Sequence, residues 1–227
     1  GGFGAPHCVA GADLEESIQQ PRFDTKGRLL CLTDRGGFWQ PWRETSDGLH
    51  RLPCAEADHA PAPWQMGGST WLPVGDSFLA SWSEGGFGRL ALDGEDFTGN
   101  YSRFRHLALD QQLIYCIAAS PISPSAVIAI DRSTRSVQVL AGGVAPLPAE
   151  RISRPQTLRY PSGSGEAHGF FYPAMNDEAQ PPLVVFIHGG PTSACYPMLD
   201  PRIQYWTQRG FAVADLNYRG SSGYGRE

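Results

Sequence analysis

The sequence predicts a mainly β protein in which a partial β-propeller is followed by a βαβ unit. From about residue 20 to 145, short apolar runs alternate with Gly, Asp, Asn and Pro, and no long helical pattern occurs. A polar turn followed by an apolar run appears three times in that stretch. Beyond residue 181, an apolar run, a helical pattern and a second apolar run follow in close succession, which is typical of a βαβ unit.

The repeated turn supports the propeller. Gly27, Gly75 and Gln111 occupy equivalent points, so the repeat spacings are 48 and 36 residues. Propeller blades have roughly 40–50 residues each. The third unit is the clearest, because two runs with period-2 alternation flank a turn at 131–135. We therefore predict three blades, and we interpret residues 7–11 as the remnant of a fourth.

Proline marks the end of the propeller. Seven prolines lie in residues 146–182, which also contain two strand-like runs, 156–160 and 168–172, on either side of a Ser-Gly turn. We predict that residues 1–145 form the partial propeller and that 146–182 form a linker and the first hairpin of the next domain. Residues 183–227 are then the beginning of that domain.

The βαβ unit is predicted from three segments. Leu183–Ile187 is a continuous apolar run, which indicates a strand buried on both faces of a parallel sheet. Residues 200–209 fit a short helix, with Pro201 at its first position and a glycine just after its end. Residues 211–216 form the second strand, and 217–225 form a loop rich in Gly and Ser.

Composition excludes several classes of protein. The net charge is −5 with no basic stripe, so we expect neither a nucleic acid nor a membrane surface as partner. No apolar run approaches the roughly 18 residues of a membrane span. The five cysteines are widely spread and include no C-x-x-C pair. We interpret them as small core residues of a cytoplasmic protein and expect no disulfide framework, metal or cofactor.

Two motifs carry the functional signal: His188-Gly189-Gly190-Pro191 and the loop that begins Asn217-Tyr218-Arg219-Gly220. With them, the chain resembles the prolyl oligopeptidase family of serine peptidases, in the branch of acylaminoacyl peptidases and dipeptidyl aminopeptidase-like enzymes. The segment 21–27 also resembles the propeller of that family. The resemblance implies a propeller followed by the first βαβ portion of an α/β-hydrolase domain. It also implies hydrolysis of short peptides or acyl-peptides, and it leaves homo-oligomer formation open.

The chemistry of acyl transfer gives these motifs a role. Negative charge develops on the carbonyl oxygen, and each backbone N–H aimed at it lowers the barrier by roughly 3–4 kcal/mol. By resemblance, the N–H of Gly190 is one oxyanion donor, and His188 and Gly189 shape the turn. The resemblance also makes Asn217, Tyr218, Arg219 and Gly220 an active-site loop. Two glycines after a buried strand also occur in tight turns without a catalytic role, and that alternative stays open.

The sequence lacks a recognisable nucleophile. No serine has glycine both two residues before and two residues after it, so G-x-S-x-G is absent. In α/β-hydrolases the Ser, Asp and His of the triad follow these first strands in that order. We therefore expect nucleophile, acid and base to lie beyond residue 227, and we expect the 227-residue polypeptide to be inactive by itself.

Two other functions compete with the peptidase. Propeller blades alone can form a binding or scaffold module, and esterase-type α/β-hydrolases share the His-Gly-Gly turn. Glu15 and Glu16 invite comparison with the acidic pair that binds a substrate amino terminus in dipeptidyl peptidases, but we interpret them as solvated. Arg219 either pairs with a loop acceptor or is solvated. We interpret His168 as an ordinary surface or half-buried histidine.

Overall fold

The computed structural model describes residues 2–12, 14–176, 178–190 and 192–226. These residues form four sheets of four strands each and one α-helix. In each of the first three sheets the strands are antiparallel and pair in chain order. The mainly β architecture predicted from the sequence is confirmed.

The first three sheets are the predicted blades. Blade 1 contains β1 (Ile18–Phe23), β2 (Leu29–Thr33), β3 (Gln40–Thr45) and β4 (Gly48–Arg51). Blade 2 contains β5 (Trp71–Val74), β6 (Ser77–Glu84), β7 (Phe87–Leu92) and β8 (Glu95–Asp96). Blade 3 contains β9 (Arg103–Leu109), β10 (Leu113–Ser120), β11 (Ser123–Asp131) and β12 (Val137–Gly142).

The recurring turn joins the first two strands of each blade. Gly27 and Gly75 have φ values of +74° and +60°, which glycine adopts without steric cost. In blade 1 the Asp24 carboxylate accepts the N–H groups of Lys26 and Arg28, at 2.9 and 3.0 Å. This turn forms from local sequence alone, because the acceptor and both donors lie within five consecutive residues.

Apolar side chains join neighbouring blades. One buried cluster connects blades 1 and 2 through Leu30, Leu32 and Trp71. A larger cluster connects blades 2 and 3, and it includes Leu79 and Ile128. Each blade thus buries the apolar surface of the next one, which is how stacked sheets of only four strands become stable.

The fourth sheet contains β13 (Gln156–Ser162), β14 (Gly165–Tyr172), β15 (Leu183–Ile187) and β16 (Ala212–Asn217), in the spatial order β13-β14-β16-β15. β15 and β16 are parallel, and α1 (Pro201–Thr207) lies between them in the chain. Asp200 caps the helix by accepting the N–H of Arg202 at 2.8 Å. The predicted hairpin and βαβ unit are therefore parts of one sheet.

The fourth sheet packs against the blades. Its core includes Phe170, Ile203 and Val213, and Phe87 of blade 2 joins that core. Phe87 meets Phe170 edge-to-face, with ring centroids 5.7 Å apart. Leu199 donates its N–H to the carbonyl oxygen of Ser120 in blade 3, at 2.8 Å. These contacts hold the sheet and the propeller segment together.

The structure corrects the predicted blade remnant. Residues 7–11 form no strand, and no strand within the described part of the chain pairs with them. An extended run without a partner leaves its backbone N–H and C=O groups to water, so nothing stabilises it as a strand.

The predicted burial of β15 is also wrong. Leu183, Val185 and Ile187 are 54%, 48% and 66% exposed, whereas Val184 and Phe186 pack against the core of the fourth sheet. β15 lies at the edge of the sheet, with β16 as its only strand partner among the described residues. Only one of its faces therefore meets other side chains.

The cysteines follow the prediction in part. Cys31, Cys116 and Cys195 are buried, but Cys8 is exposed, because the segment around it packs against little else. Within the described residues, no helix has the length and apolar character needed to span a bilayer.

Candidate active site

The two sequence motifs lie side by side. The 188–190 turn follows β15, and the segment 217–226 begins at the last residue of β16. Because this segment contains the predicted active-site residues 217–220, it is called the active-site loop below, and that role stays a prediction. Ile187 is the register partner of Leu216. The motifs therefore meet at the carboxyl edge of a parallel strand pair, where α/β sheets bind ligands. Pro191, the last residue of the first motif, lies outside the described residues.

His188 is held at both ring nitrogens. Its Nδ1 lies 2.9 Å from the carbonyl oxygen of Gly189, and its Nε2 lies 2.7 Å from the hydroxyl oxygen of Ser221. A carbonyl oxygen can only accept, so Nδ1 carries the proton, and in the neutral ring Nε2 accepts from Ser221. Ser221 is only 5% exposed. The pair therefore fixes the turn and presents no accessible hydroxyl to a substrate.

Tyr218 supports the same turn. Its ring stacks on His188 with centroids 4.4 Å apart, and its hydroxyl donates to the carbonyl oxygen of His188 at 3.3 Å. A Cβ atom at Gly190 would lie 3.2 Å from that hydroxyl oxygen. Glycine at position 190 thus lets the turn lie close to Tyr218. A Cβ at Gly189 would meet no atom within 4 Å, so this side of the turn is open.

The N–H of Gly190 is available to a ligand. Gly189 and Gly190 are exposed, and the N–H of Gly190 donates no hydrogen bond to any other described residue. A free N–H on a turn fixed by His188 and Tyr218 can donate to an external oxygen. The catalytic use of that donor stays a prediction.

Asn217 has a structural task. Its Oδ1 accepts the N–H of Cys195 at 2.8 Å, and its Nδ2 donates to the carbonyl oxygen of Cys195 at 3.1 Å. The same Nδ2 donates to the Tyr224 hydroxyl at 3.1 Å. Asn217 is 2% exposed. It therefore fastens the active-site loop to the segment before α1.

Arg219 and Gly220 form the exposed tip of the loop. The Arg219 guanidinium lies against Gly163, in the turn between β13 and β14. It forms no ion pair with the other residues that the structure describes. Gly220 has a φ of +89°, and the turn closes with the N–H of Ser221 donating to the carbonyl oxygen of Tyr218 at 3.0 Å.

A cleft of about 750 Å³ separates the active-site loop from blade 1. Carboxyl and guanidinium groups both occur along it. Its lining includes Asp34, Trp39, Glu166, Tyr218, Arg219 and Arg226. The volume is within the range of about 300–1,000 Å³ that small-ligand sites occupy.

The interpretation of Glu16 as solvated is wrong. Both of its carboxylate oxygens accept from the Arg35 guanidinium, at 2.6 and 2.7 Å, and Thr33 Oγ1 donates to it at 2.7 Å. The Arg35 hydrogen bonds lower the pKa of Glu16 to about 2. Glu16 is therefore committed to blade 1, while Glu15 is exposed.

His168 is half-buried, which is one of the two settings that we predicted. Its ring stacks on Tyr224 with centroids 4.3 Å apart and an interplanar angle of 4°. Burial lowers its pKa. In the ranges that the structure describes, no group of three or more His, Cys, Asp or Glu side chains is arranged to hold a metal ion.

Sequence reasoning missed three residues that shape this site: Ser221, Cys195 and Asp58. Ser221 lies within the quoted loop, but nothing in its sequence context pairs it with His188. Asp58 accepts N–H groups from residues 165 and 167 positions away. Contacts of such separation leave no local signal in one sequence.

Comparison with known proteins supports a peptidase. No family model matches the chain. The peptidase YuxL of Bacillus subtilis (strain 168), described as uncharacterized, is 30% identical over 124 residues, which are 53% of this chain and 19% of that protein. A solved puromycin-hydrolyzing peptidase of Mycobacterium tuberculosis has a TM-score of 0.87 at 31% identity, over 98% of this chain and 37% of that one.

A solved prolyl endopeptidase has a TM-score of 0.70 at 16% identity, over 93% of this chain and 32% of its own, which shows the fold alone. The chain thus spans about a third of the length of these solved relatives. The blades, the parallel strand pair and the sequence identity agree, and together they support a segment of a peptidase of the prolyl oligopeptidase family.

Proposed function

We propose that this chain supplies an oxyanion-binding turn to a serine peptidase that cleaves short peptides or acyl-peptides. One observation carries the proposal: the exposed N–H of Gly190, without an acceptor among the described residues, lies at the carboxyl edge of the parallel pair β15–β16. In α/β-hydrolases one oxyanion donor comes from such a glycine-rich turn.

Rigidity of the turn suits this role. An oxyanion donor must already point at the developing charge, because reorganisation during the reaction would cost part of the stabilisation. His188 and Tyr218 hold the turn from one side, and Gly189 leaves the other side open for a substrate carbonyl. Glycine at position 190 allows Tyr218 to support the turn, and glycine at position 189 allows a substrate carbonyl to approach it.

The cleft supports the choice of substrate. It lies between blade 1 and the active-site loop, so a substrate there would contact both the propeller and the fourth sheet. The 188–190 turn is not part of its lining, but Tyr218, which supports that turn, is. A volume of about 750 Å³ suits a few residues of peptide. The three blades also favour a peptidase over an esterase, since esterases do not ordinarily carry such repeats.

The proposal assigns the nucleophile, the acid and the base to residues outside this polypeptide. Among the residues that the structure describes, the Ser221–His188 pair is the one contact that resembles a nucleophile and its base. However, Ser221 is buried and His188 Nδ1 faces a backbone carbonyl. We expect the 227-residue polypeptide by itself to show no turnover of aminoacyl-nitroanilides and no labelling by a fluorophosphonate. Stoichiometric labelling would contradict that part of the proposal.

A hybrid enzyme tests the oxyanion turn. Residues 1–227 replace the aligned segment of the Mycobacterium tuberculosis peptidase, and the hybrid is assayed with aminoacyl-nitroanilides and p-nitrophenyl esters. We expect amide hydrolysis, and we expect Gly190→Pro, which removes the N–H, to lower kcat by about 10²–10³-fold. Gly190→Ala is the matched control, because it adds a Cβ 3.2 Å from the Tyr218 hydroxyl and keeps the N–H.

Each other result has a clear meaning. A folded hybrid that cleaves esters but not amides would favour the esterase. A folded hybrid without either activity would favour a binding module. Equal kcat values for Gly190→Pro and the unmodified hybrid would show that this N–H is not an oxyanion donor.

We also propose that the protein works in a reducing compartment such as the cytoplasm. All five cysteines are free, and three of them are buried. Burial raises the pKa of Cys31 to about 11 and of Cys116 to about 12, so these thiols stay protonated and unreactive. Thiol titration of freshly lysed cells, with and without reductant, would test the location.

A further inference from the structure

Asp58, in the connection between blades 1 and 2, carries a buried carboxylate that joins distant parts of the chain. It is 6% exposed. Its Oδ1 accepts the N–H of Trp39 at 2.9 Å, and its Oδ2 accepts the N–H groups of Gly223 and Gly225 at 3.1 and 3.0 Å. One propeller side chain therefore holds two backbone groups of the active-site loop.

The carboxylate relies on these N–H groups. No Lys or Arg in the described part of the chain forms an ion pair with Asp58, so backbone donors replace the water that burial removes. Burial raises the pKa of Asp58, the hydrogen bonds from Trp39, Gly225 and Gly223 oppose that rise, and the nearby Asp34 adds to it. Burying a carboxylate costs desolvation free energy, which the three donors must offset. Packing alone does not account for this arrangement.

The loop fits the propeller so closely that only glycine suits both docking positions. Gly223 and Gly225 have φ values of +98° and +85°. A Cβ at Gly225 would lie 2.9 Å from Cε1 of Phe38, and a Cβ at Gly223 would lie 3.3 Å from Oγ of Ser83. The glycines of the motif thus serve contact with blades 1 and 2 as well as chain reversal.

The segment that docks on Asp58 lies next to Ser221 in the chain, and Ser221 supports the 188–190 turn through His188. Gly223 is two residues from Ser221, whose hydroxyl lies 2.7 Å from His188 Nε2. The intervening Ser222 donates its N–H to the carbonyl oxygen of Ser193, at 2.8 Å. A shift of the loop at Gly223 would therefore reach His188 through two residues and one hydrogen bond.

We propose that Asp58 is a positioning residue, which from the propeller fixes the active-site loop and, through Ser221 and His188, the 188–190 turn. Its importance for catalysis rests on the proposed function, whereas the anchoring itself does not. In the native protein, the propeller would then set the geometry of the site in addition to covering it.

The test compares Asp58→Asn with Asp58→Glu and the matched control Asp24→Asn in the 227-residue polypeptide. An amide oxygen cannot accept from Trp39 and both glycines together, while glutamate keeps the charge. Asp24 is also buried and also accepts two backbone N–H groups, but in the β1–β2 turn. Hydrogen exchange is measured for peptides covering residues 216–226, 186–190 and 77–92.

We expect Asp58→Asn to accelerate exchange about tenfold at 216–226 and also at 186–190, with 77–92 unchanged. Asp58→Glu should restore part of the protection, and Asp24→Asn should leave both segments as in the unmodified chain. The NMR signal of the His188 ring adds a signature of the turn, and it should move in Asp58→Asn only.

These readouts need no turnover, so they separate the anchor from the proposed function. If the hybrid enzyme fails while the exchange pattern holds, Asp58 remains an anchor without a catalytic purpose. If Asp58→Asn leaves exchange at 216–226 and the His188 signal unchanged, or accelerates all peptides equally, Asp58 is not a positioning residue.

Discussion

A Cβ atom at Gly86 would lie 2.7 Å from Cζ of Phe170, so blade 2 and the fourth sheet approach each other as closely as a glycine allows. Phe170 is fully buried, and Phe87 next to Gly86 packs edge-on against its ring. Blade 2 and the fourth sheet therefore share an apolar contact at Phe87 and Phe170, and this contact has no room for a methyl group on Gly86.

Gly86→Ala should consequently weaken the contact between blade 2 and the fourth sheet. Gly85→Ala is the control, because Gly85 (φ +58°) and Gly86 (φ +85°) both have positive φ values. In contrast to Gly86, a Cβ at Gly85 would meet no atom within 4 Å. We expect Gly86→Ala to lose about 1–3 kcal/mol more than Gly85→Ala, from overpacking. Urea denaturation measures both, and equal losses would show that Phe170 relaxes without cost.

Ser221→Ala removes the hydroxyl that donates to His188. We expect it to lower the free energy of unfolding by about 1 kcal/mol, since a partly buried imidazole nitrogen loses its partner. Ser222→Ala should change that free energy by less than about 0.5 kcal/mol, because Ser222 contributes only its backbone N–H to the described contacts. Similar losses in both variants would argue against a specific role of the Ser221 hydroxyl.

Glu16 should make stability depend on pH at the acidic end. Its folded-state pKa is about 2, below the usual 4.5, so its contribution is complete above about pH 4.5 and is lost as the pH falls through about 2. Glu16→Gln should therefore lower the denaturation midpoint at about pH 7, and the difference should shrink at about pH 2.5. Glu15→Gln, at an exposed position, should change little at either pH.

Ile128→Ala should destabilise the core between blades 2 and 3. Ile128 is fully buried, whereas its neighbour Val127 is 40% exposed on the other face of β11. We expect a loss of about 2–5 kcal/mol for Ile128→Ala, from lost burial and the cavity left behind. Val127→Ala should cost clearly less in the same denaturation experiment, and equal costs would contradict the assigned faces of the strand.

The features that the sequence predicts correctly are local. The turn at Gly27 depends on Asp24 three residues earlier, and α1 begins where Asp200 and Pro201 prescribe. The two glycine motifs meet because each follows a parallel strand, and adjacent parallel strands end at one edge. The three blades and the βαβ unit follow from such signals, while the catalytic role of the two motifs stays a prediction.

The features that the sequence does not reveal depend on distant partners. Glu16 looks like half of a solvated acidic pair until Arg35 lies beside it on blade 1. The apolar sequence of β15 does not reveal that only one face of this strand packs against other side chains. Asp58 has no distinguishing neighbour in the chain, and its task becomes visible only when Gly223 and Gly225 dock on it.

The exposed edge strand of the fourth sheet, β15, favours self-association of this polypeptide in solution. Within the described residues, no strand pairs with the outer edge of β15, which carries Leu183, Val185 and Ile187. A strand from another molecule can add to such an edge. Light scattering should therefore rise with protein concentration. Val185→Lys should delay that rise, since a charged side chain on an edge strand discourages the addition of another strand.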